Sequence, residues 1–272
     1  MEKRSIGKRG KVPKGSAKVV DPLEWAKAYL TKDEYAQLLS ALEEPLDASI
    51  RINTLKWETA SAALKLAERY GWALERVPFC KDGFWIRGGK LSPSATIEHR
   101  LGYYYIQEAA SMLPPTLFDF SSAARPFILD MAASPGGKTT HLTALTNDCG
   151  LILANDSSRA RIPPLQTVLR KWGAINQCVT CLPGEVFGQL YTDHFDAVLL
   201  DAPCSMQGLR TSESHTPRGI TQSEIESLSV RQRRLLESAL RAAKTGGQIV
   251  YATCTLAPQE DELVLEETLE RF

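Results

Sequence analysis

The sequence lacks the features of a membrane protein, of a disulfide-stabilised secreted protein and of a metalloprotein. It has no apolar run of roughly 18 residues, the length of a membrane-spanning helix, and no apolar segment follows its basic N-terminus. Six cysteines among 272 residues are too few for a disulfide scaffold, so we expect reduced thiols and a cytoplasmic protein. The four histidines show no ligand spacing. Cys178 and Cys181 form one C-x-x-C pair in a strand-like segment, which predicts core thiols and no metal site.

Charge is balanced over the whole chain but unevenly placed. The formal net charge is zero, with 43% apolar and 24% charged residues, which is typical of a soluble globular protein. Residues 1–18 contain seven Lys or Arg against Glu2, so this segment carries +6 and the rest of the chain −6. We predict a basic, disordered tail over residues 1–20. Its charge fits either a polyanion-binding arm or a plain solvated tail.

The chain divides into two parts with different periodicities. Residues 21–105 mix helical spacing with short strands and predict a small α+β unit. From about Arg125, apolar runs of strand length alternate with helical stretches, which predicts a parallel sheet covered on both faces in a doubly wound α/β fold. The predicted strands are FILDM (127–131), LILAN (151–155), QCVTCL (177–182), FDAVLLDAP (195–203) and GGQIVYATC (246–254). The ligand site of such a sheet lies beyond the carboxyl ends of its strands.

The first of these strands ends in the loop DMAASPGGKTT, residues 130–140, whose small residues let a ligand approach the backbone. The ending GKT resembles a nucleotide-triphosphate loop, but Ala132 replaces that motif's first glycine and Pro135 removes an amide donor. A nucleoside site is favoured, because the acid that would bind ribose hydroxyls follows the next strand as Asp156. A plain glycine turn with a surface lysine is the third interpretation.

Two cysteines follow neighbouring strands of the predicted sheet. Asp201-Ala-Pro-Cys204 ends the fourth strand, and Cys254 ends the fifth. A thiolate that adds to carbon 6 of a pyrimidine makes carbon 5 nucleophilic enough to accept a methyl group from a sulfonium. The base must leave its stack to reach the thiol. These residues alone do not determine which thiol attacks.

The motifs DMAASPGGKTTH, LDAPCS and YATCTLAPQEDE, with SIRINTLK and YYIQEAASMLP upstream, resemble the Sun-type RNA cytosine-5 methyltransferases over residues 20–272. The GFWI segment is most similar to the RsmF-type enzymes of ribosomal RNA. The resemblance implies a Rossmann-like methyltransferase domain over 106–272 and an RRM-like RNA-recognition unit over 21–105. It also implies S-adenosylmethionine as cofactor and RNA as substrate, with ribosomal RNA as first choice and transfer RNA as second. We expect a monomer.

The resemblance also implies roles for individual residues. Cys254 would be the nucleophile, and Cys204 would help to release the methylated product. Lys138 and Asp201 would orient the ring and stabilise charge at its edge. The implied cofactor-binding residues are Ala132, Ala133, Ser134, Pro135, Gly136, Gly137, Lys138, Asp156, Arg161 and Asp201.

The chain departs from the family pattern in three places. Pro183 replaces an aspartate that would accept from the adenine amino group, a loss of on the order of 1–3 kcal/mol if that group stays unpaired. The segments 206–208 and 211–213 differ from the usual loop after the PC motif. The family's final strand pair is not found in the sequence, so we expect either a fragment or truncated gene product or a sheet with an exposed edge. A non-catalytic RNA-binding protein and, more weakly, a nucleotide triphosphatase therefore remain alternatives to the methyltransferase.

Overall fold

The computed structural model describes residues 19–20, 23–206 and 220–272. The basic segment 1–18 and the substituted loop positions from residue 207 to 213 lie outside these ranges. Across the described parts of the chain, no helix has both the length and the apolar character needed to cross a membrane.

The first part of the chain forms an antiparallel sheet of four strands in the order β3-β4-β2-β5. Its elements are β1 (Val19–Val20), α1 (Ala26–Tyr29), α2 (Lys32–Glu43), β2 (Ala48–Ile52), α3 (Thr59–Tyr70), β3 (Ala73–Arg76), β4 (Gly83–Arg87), α4 (Ile97–Arg100), β5 (Tyr104–Ile106) and α5 (Leu113–Thr116). Helix α3 ends at Gly71, whose left-handed φ of 65° favours glycine. Apolar side chains of the sheet and of α3, such as Ile50, Leu66 and Trp72, form one buried cluster.

The second part forms a five-stranded sheet in the order β11-β9-β6-β7-β8, with every neighbouring pair parallel. Its elements are β6 (Phe127–Asp130), α6 (Gly137–Leu145), β7 (Leu151–Asn155), α7 (Ile162–Trp172), β8 (Gln177–Thr180), α8 (Phe187–Leu190), β9 (Phe195–Asp201), β10 (Ile220–Thr221), α9 (Gln222–Ala242), β11 (Ala243–Ala252) and α10 (Glu262–Leu269). Leu129 and Val198 belong to one buried cluster, and Ile128 and Ala197 to another. Because neighbouring residues enter different clusters, both faces of the sheet are covered, which confirms the predicted doubly wound fold.

The edges of the structure differ from the sequence-based expectations in two respects. Val19–Val20, which the predicted tail includes, pairs antiparallel with Ile220–Thr221, so backbone hydrogen bonds order the end of that segment. Cys178 and Cys181 are exposed rather than core thiols. Cys178 lies on the face of edge strand β8 opposite Val179, which packs on the core, and Cys181 lies just past the end of the strand. Within the described residues, β11 pairs with β9 alone.

A buried arginine joins the two parts of the chain. Arg51 on β2 is 0% exposed and donates to Gln107 Oε1 at 3.0 Å, to the Gly137 carbonyl at 2.9 Å and to Thr140 Oγ1 at 2.8 Å. Its guanidinium carbon lies 4.7 Å from the centre of the Trp172 ring. Burial lowers the pKa of Arg51 to about 10. These contacts place the start of α6 against the antiparallel sheet.

Candidate active site

The loop between β6 and α6 lies against α7 and borders a cavity of about 230 Å³. Gly136 has a left-handed φ of 115°, and a Cβ there would meet Val168 Cγ1 at 2.9 Å, so this position favours glycine. Gly136 thus packs on α7 and is not among the cavity-lining residues, unlike its predicted neighbours. The predicted residues that line the cavity are Ala132, Ala133, Ser134, Pro135, Gly137, Lys138 and Asp201.

Charged side chains at this loop are paired with groups of the protein. Lys138 Nζ donates to Asp201 Oδ2 at 2.7 Å. Thr139 Oγ1 donates to Asp130 Oδ2 at 2.6 Å. Both groups therefore bond carboxyl groups that end neighbouring strands, β6 and β9.

Asp156 is buried at the end of β7. Arg161 joins it to the loop between β6 and α6 (the cofactor loop). Asp156 Oδ1 accepts from the Ser158 backbone N–H at 2.9 Å, and its Oδ2 lies 3.3 Å from Arg161 Nε. The Arg161 guanidinium also donates to the Ser134 carbonyl, and Ser134 Oγ donates to the Arg161 carbonyl at 2.9 Å. The two predicted cofactor residues therefore hold the ends of β6 and β7 together.

The two predicted catalytic thiols meet at the carboxyl ends of adjacent strands. β9 and β11 are paired in register up to Asp201 and Ala252, so the loops after them emerge side by side. Cys204 Sγ lies 3.0 Å from Cys254 Sγ, and the Cys254 backbone N–H donates to Cys204 Sγ at 3.3 Å. Both residues are half-buried.

The two thiols differ in acidity. The hydrogen bonds from the Cys254 thiol and, more weakly, from its backbone N–H lower the pKa of Cys204, against the effect of burial. Donation to Cys204, burial and the nearby carboxylate of Asp201 raise the pKa of Cys254, while the Lys138 ammonium group opposes them. The two sulfurs lie 3.0 Å apart and titrate as one coupled pair.

A second cavity, of about 330 Å³, opens in front of the thiols. Its lining includes Lys138, Asp201 and residues 252–256, and so Cys254, whereas Cys204 is not among its lining residues. It shares Lys138, Asp201, Glu108 and Ser111 with the cavity at the cofactor loop. The two cavities therefore meet at the Lys138–Asp201 ion pair, with one thiol facing the shared space.

Sequence reasoning missed two residues that shape this region. Glu108 borders both cavities, and its carboxylate accepts from the backbone N–H groups of Ala110 and Ser111 at 2.9 and 3.0 Å. Asn155 is 0% exposed and bonds the backbone of Leu182 with both ends of its amide, at 2.9 and 3.0 Å. Only the motif around YYIQEAAS pointed to Glu108, and an asparagine at a strand end carries no distinctive signal.

The end of β8 agrees with the predicted departure from the family pattern. Pro183 starts the short helical turn Gly184–Val186 and offers no side-chain acceptor. In the parts of the chain that are described, no group of three or more His, Cys, Asp or Glu residues could hold a metal ion.

Comparison with family models finds two matches along the chain. Residues 120–272 match the model of the 16S rRNA methyltransferase RsmB/F, and residues 23–109 match the N-terminal domain of the 16S rRNA methyltransferase RsmF. The first match alone covers more than half of the chain.

Similar proteins agree with these matches. Ribosomal RNA small subunit methyltransferase F of Shewanella woodyi is 41% identical over 90% of this chain and 51% of its own length. The corresponding protein of Shewanella loihica is 42% identical over 86% of this chain and 48% of its own length. The chain thus spans about half the length of the curated relatives it matches.

Solved structures show the same fold. A methyltransferase homologue from Pyrococcus horikoshii superposes with a TM-score of 0.78 at 35% identity, covering 89% of this chain and 76% of that one. NSun6 from Pyrococcus horikoshii, solved with SFG, has a TM-score of 0.78 at 22% identity, covering 91% and 86% of the two chains. The chain belongs to the RsmB/F family of 16S rRNA methyltransferases.

Proposed function

We propose that this chain is an S-adenosylmethionine-dependent RNA cytosine-5 methyltransferase that forms 5-methylcytosine in small-subunit ribosomal RNA. The observation that carries the proposal is the thiol pair, 3.0 Å apart, with Cys254 facing the cavity that ends at Lys138 and Asp201. The names of the curated relatives favour ribosomal RNA over transfer RNA as the substrate. Such a substrate would place the activity in the cytoplasm.

The residues at the cofactor loop fit S-adenosylmethionine better than a triphosphate. Asp156 and Asp201 balance the nearby cations Lys138 and Arg161, and both cations are paired with carboxylates or carbonyls. A site with this balance admits a cationic sulfonium and offers little attraction to a triphosphate. Asp156, at the end of β7, has the position and chemistry of a ribose-binding acid. When bound, S-adenosylmethionine supplies an electrophilic methyl group.

Cys254 is the proposed nucleophile because it is the thiol that lines the cavity of about 330 Å³. Its thiolate adds to carbon 6 of the flipped cytosine. Donation to Cys204, burial and Asp201 raise the pKa of Cys254, and the nearby Lys138 ammonium group opposes them in part. Lys138 and Asp201 stand at the junction of the two cavities, where they can hold the edge of the ring and stabilise charge that develops on it.

Cys204 is the proposed base for product release. Release breaks the bond between carbon 5 and its hydrogen, forms the double bond between carbons 5 and 6, and expels the Cys254 thiolate from carbon 6. A base near Cys254 must take the proton, and Cys204 Sγ is 3.0 Å away and accepts from the Cys254 backbone N–H.

Methyl transfer from tritium-labelled S-adenosylmethionine tests the proposal. Small-subunit ribosomal RNA and transfer RNA are incubated with the protein, digested to nucleosides and analysed for 5-methylcytidine. We expect product in the ribosomal RNA, none with Cys254→Ala, and wild-type levels with Cys181→Ala, a matched change at an exposed thiol.

Three results would contradict the proposal. Product formation by Cys254→Ala would remove the nucleophile assignment. RNA binding without methylation would favour the non-catalytic alternative. Tight binding of magnesium-ATP without binding of S-adenosylmethionine would favour a triphosphatase.

A further inference from the structure

A buried glutamate holds the loop that carries Cys204. Glu260 is 0% exposed and lies in the turn Pro258–Glu260 that precedes α10. Its Oε2 accepts from the Ser205 backbone N–H at 2.9 Å and from Gln232 Nε2 at 3.0 Å. Gln232 Nε2 also donates to the Pro203 carbonyl at 2.9 Å. The residues on both sides of Cys204 are therefore held, one directly and one through Gln232.

The same turn holds the loop that carries Cys254. Tyr251 donates to the Glu260 carbonyl at 2.6 Å. Thr253 Oγ1 donates to Asp261 Oδ1 at 2.5 Å, and Thr255 Oγ1 lies 2.9 Å from Ser205 Oγ. The neighbours of Cys254 are thus tied either to this turn or to the other cysteine loop, and one short segment aligns both thiols.

A carboxyl group at this position is costly unless it has a specific use. Glu260 is fully buried, its contacts with Ser205 and Gln232 involve neutral donors, and its Oε1 has no hydrogen-bond partner among the described residues. Burying such a group costs more than burying a neutral side chain that only fills space. What the carboxyl group supplies is one oxygen that accepts from two donors on different elements.

We propose that Glu260 is a positioning residue that holds Cys204 next to Cys254. Gln232 assists by linking Glu260 to the Pro203 carbonyl. The proposal rests on the proposed function and extends it to the release step. Methyl transfer needs Cys254 and the shared cavity, whereas release also needs Cys204 within reach of the carbon 5 proton. Loss of Glu260 should therefore slow release more than methyl transfer.

The expected signature is an accumulating protein–RNA adduct. With Glu260→Ala, we expect the steady-state rate to fall about 10- to 100-fold, the size of effect that a misplaced catalytic group produces, while the single-turnover methylation rate falls less than about 3-fold. The fraction of protein in an SDS-stable adduct with RNA should rise toward that of Cys204→Ala. Glu260→Gln keeps one acceptor oxygen and should restore most of the release rate.

The full chain is used, with Glu266→Ala on the exposed side of α10 as the matched control and thermal unfolding as the check on folding. If Glu260→Ala does not fold, Gln232→Met, which has similar volume and loses both donor bonds, takes its place with the same expected signature.

Equal loss of methylation and release in a folded variant, without adduct, would overturn the positioning role and leave a structural one. A folded variant with wild-type rates and a wild-type adduct fraction would overturn the positioning role as well. Absence of adduct in Cys204→Ala would instead count against the proposed function itself, so the two failures are distinguishable.

Discussion

Asp130 ends β6 with a carboxyl group that is 0% exposed and has one hydrogen-bonded oxygen. Thr139 donates to Oδ2, and Oδ1 has no partner within the described residues. Burial raises the pKa of Asp130 to about 7, and the charge of Asp201 acts in the same direction. The folded protein therefore keeps a proton on Asp130 up to about pH 7, whereas the unfolded chain releases it near pH 3.8, the ordinary pKa of aspartate.

Asp130 should make the protein less stable as pH rises from about 4 to about 7. In this window the native state binds more protons than the unfolded state, so the free energy of unfolding falls, by at most about 4 kcal/mol from this group. Asp130→Asn copies the protonated form and still accepts from Thr139. Denaturant unfolding across this pH range should show the variant gaining stability relative to wild type as pH rises. A constant difference between the two proteins would contradict the raised pKa.

Pro183 offers a gain-of-affinity prediction at a single position. Its backbone, with ψ of 132° at the start of a helical turn, suits aspartate, a preferred residue at that place. Pro183→Asp should restore an acceptor for the adenine amino group and tighten cofactor binding by about 1–3 kcal/mol. Calorimetry with S-adenosylhomocysteine measures the change, and Pro183→Ala controls for loss of the ring. Equal affinity of the Asp and Ala variants would show that no amino group lies there.

At the scale of elements, hydrophobic patterning predicted most of the fold. The strands of the parallel sheet were readable because burial on both faces makes them almost continuously apolar, as in LILAN, which matches β7 residue for residue. Periodicity does not reveal which strand lies at an edge, and for that reason Cys178 on β8 was expected in the core. Side-chain bonds between distant segments, such as those of Arg51 and Glu260, leave no local pattern in the sequence.

The site was predictable to the extent that its residues follow strand ends. Because parallel strands end at the same edge of a sheet, the sequence alone predicted that Cys204, Cys254 and the cofactor loop lie close together. Which thiol faces the cavity depends on the path of two loops, and the sequence carried that information only through family resemblance.

Arg51 links the two sheets, so its loss should destabilise the whole chain. Arg51→Ala leaves Gln107 Oε1 without its donor, removes one donor from the Gly137 carbonyl and opens a cavity beside Trp172. We expect a loss of about 2–5 kcal/mol in the free energy of unfolding, as for other large-to-small substitutions in a packed core that leave a buried acceptor unpaired. Arg87→Ala, at a side chain that is 56% exposed, should cost less than about 1 kcal/mol. Comparable losses in both variants would contradict the linking role.

At the scale of the whole molecule, the charge is divided between a basic N-terminal segment and a body of opposite sign. Residues 1–18 carry +6 and the remaining residues −6. A body with a net negative charge gains little from phosphates, so long-range attraction to RNA should depend on the tail.

Deleting residues 1–18 should weaken the salt dependence of RNA binding. With seven cations, the slope of log affinity against log salt should become shallower by up to about five, at about 0.7 per phosphate contact on single strands. Fluorescence anisotropy across a salt series measures the slope. A tail of the same length with its Lys and Arg replaced by Gln should behave like the deletion. An unchanged slope would show that the tail makes no phosphate contacts when RNA binds.

In the proposed mechanism Cys254 bonds to cytosine and Cys204 promotes release of the methylated base. The decisive measurement identifies the residue that is bonded to RNA in a trapped adduct. Cys204→Ala is incubated with S-adenosylmethionine and ribosomal RNA, the stable adduct is digested with protease and nuclease, and the modified peptide is sequenced by mass spectrometry. The account predicts a methylated cytosine attached to Cys254. A cytosine attached to any other residue, or an adduct that also forms in Cys254→Ala, would contradict it.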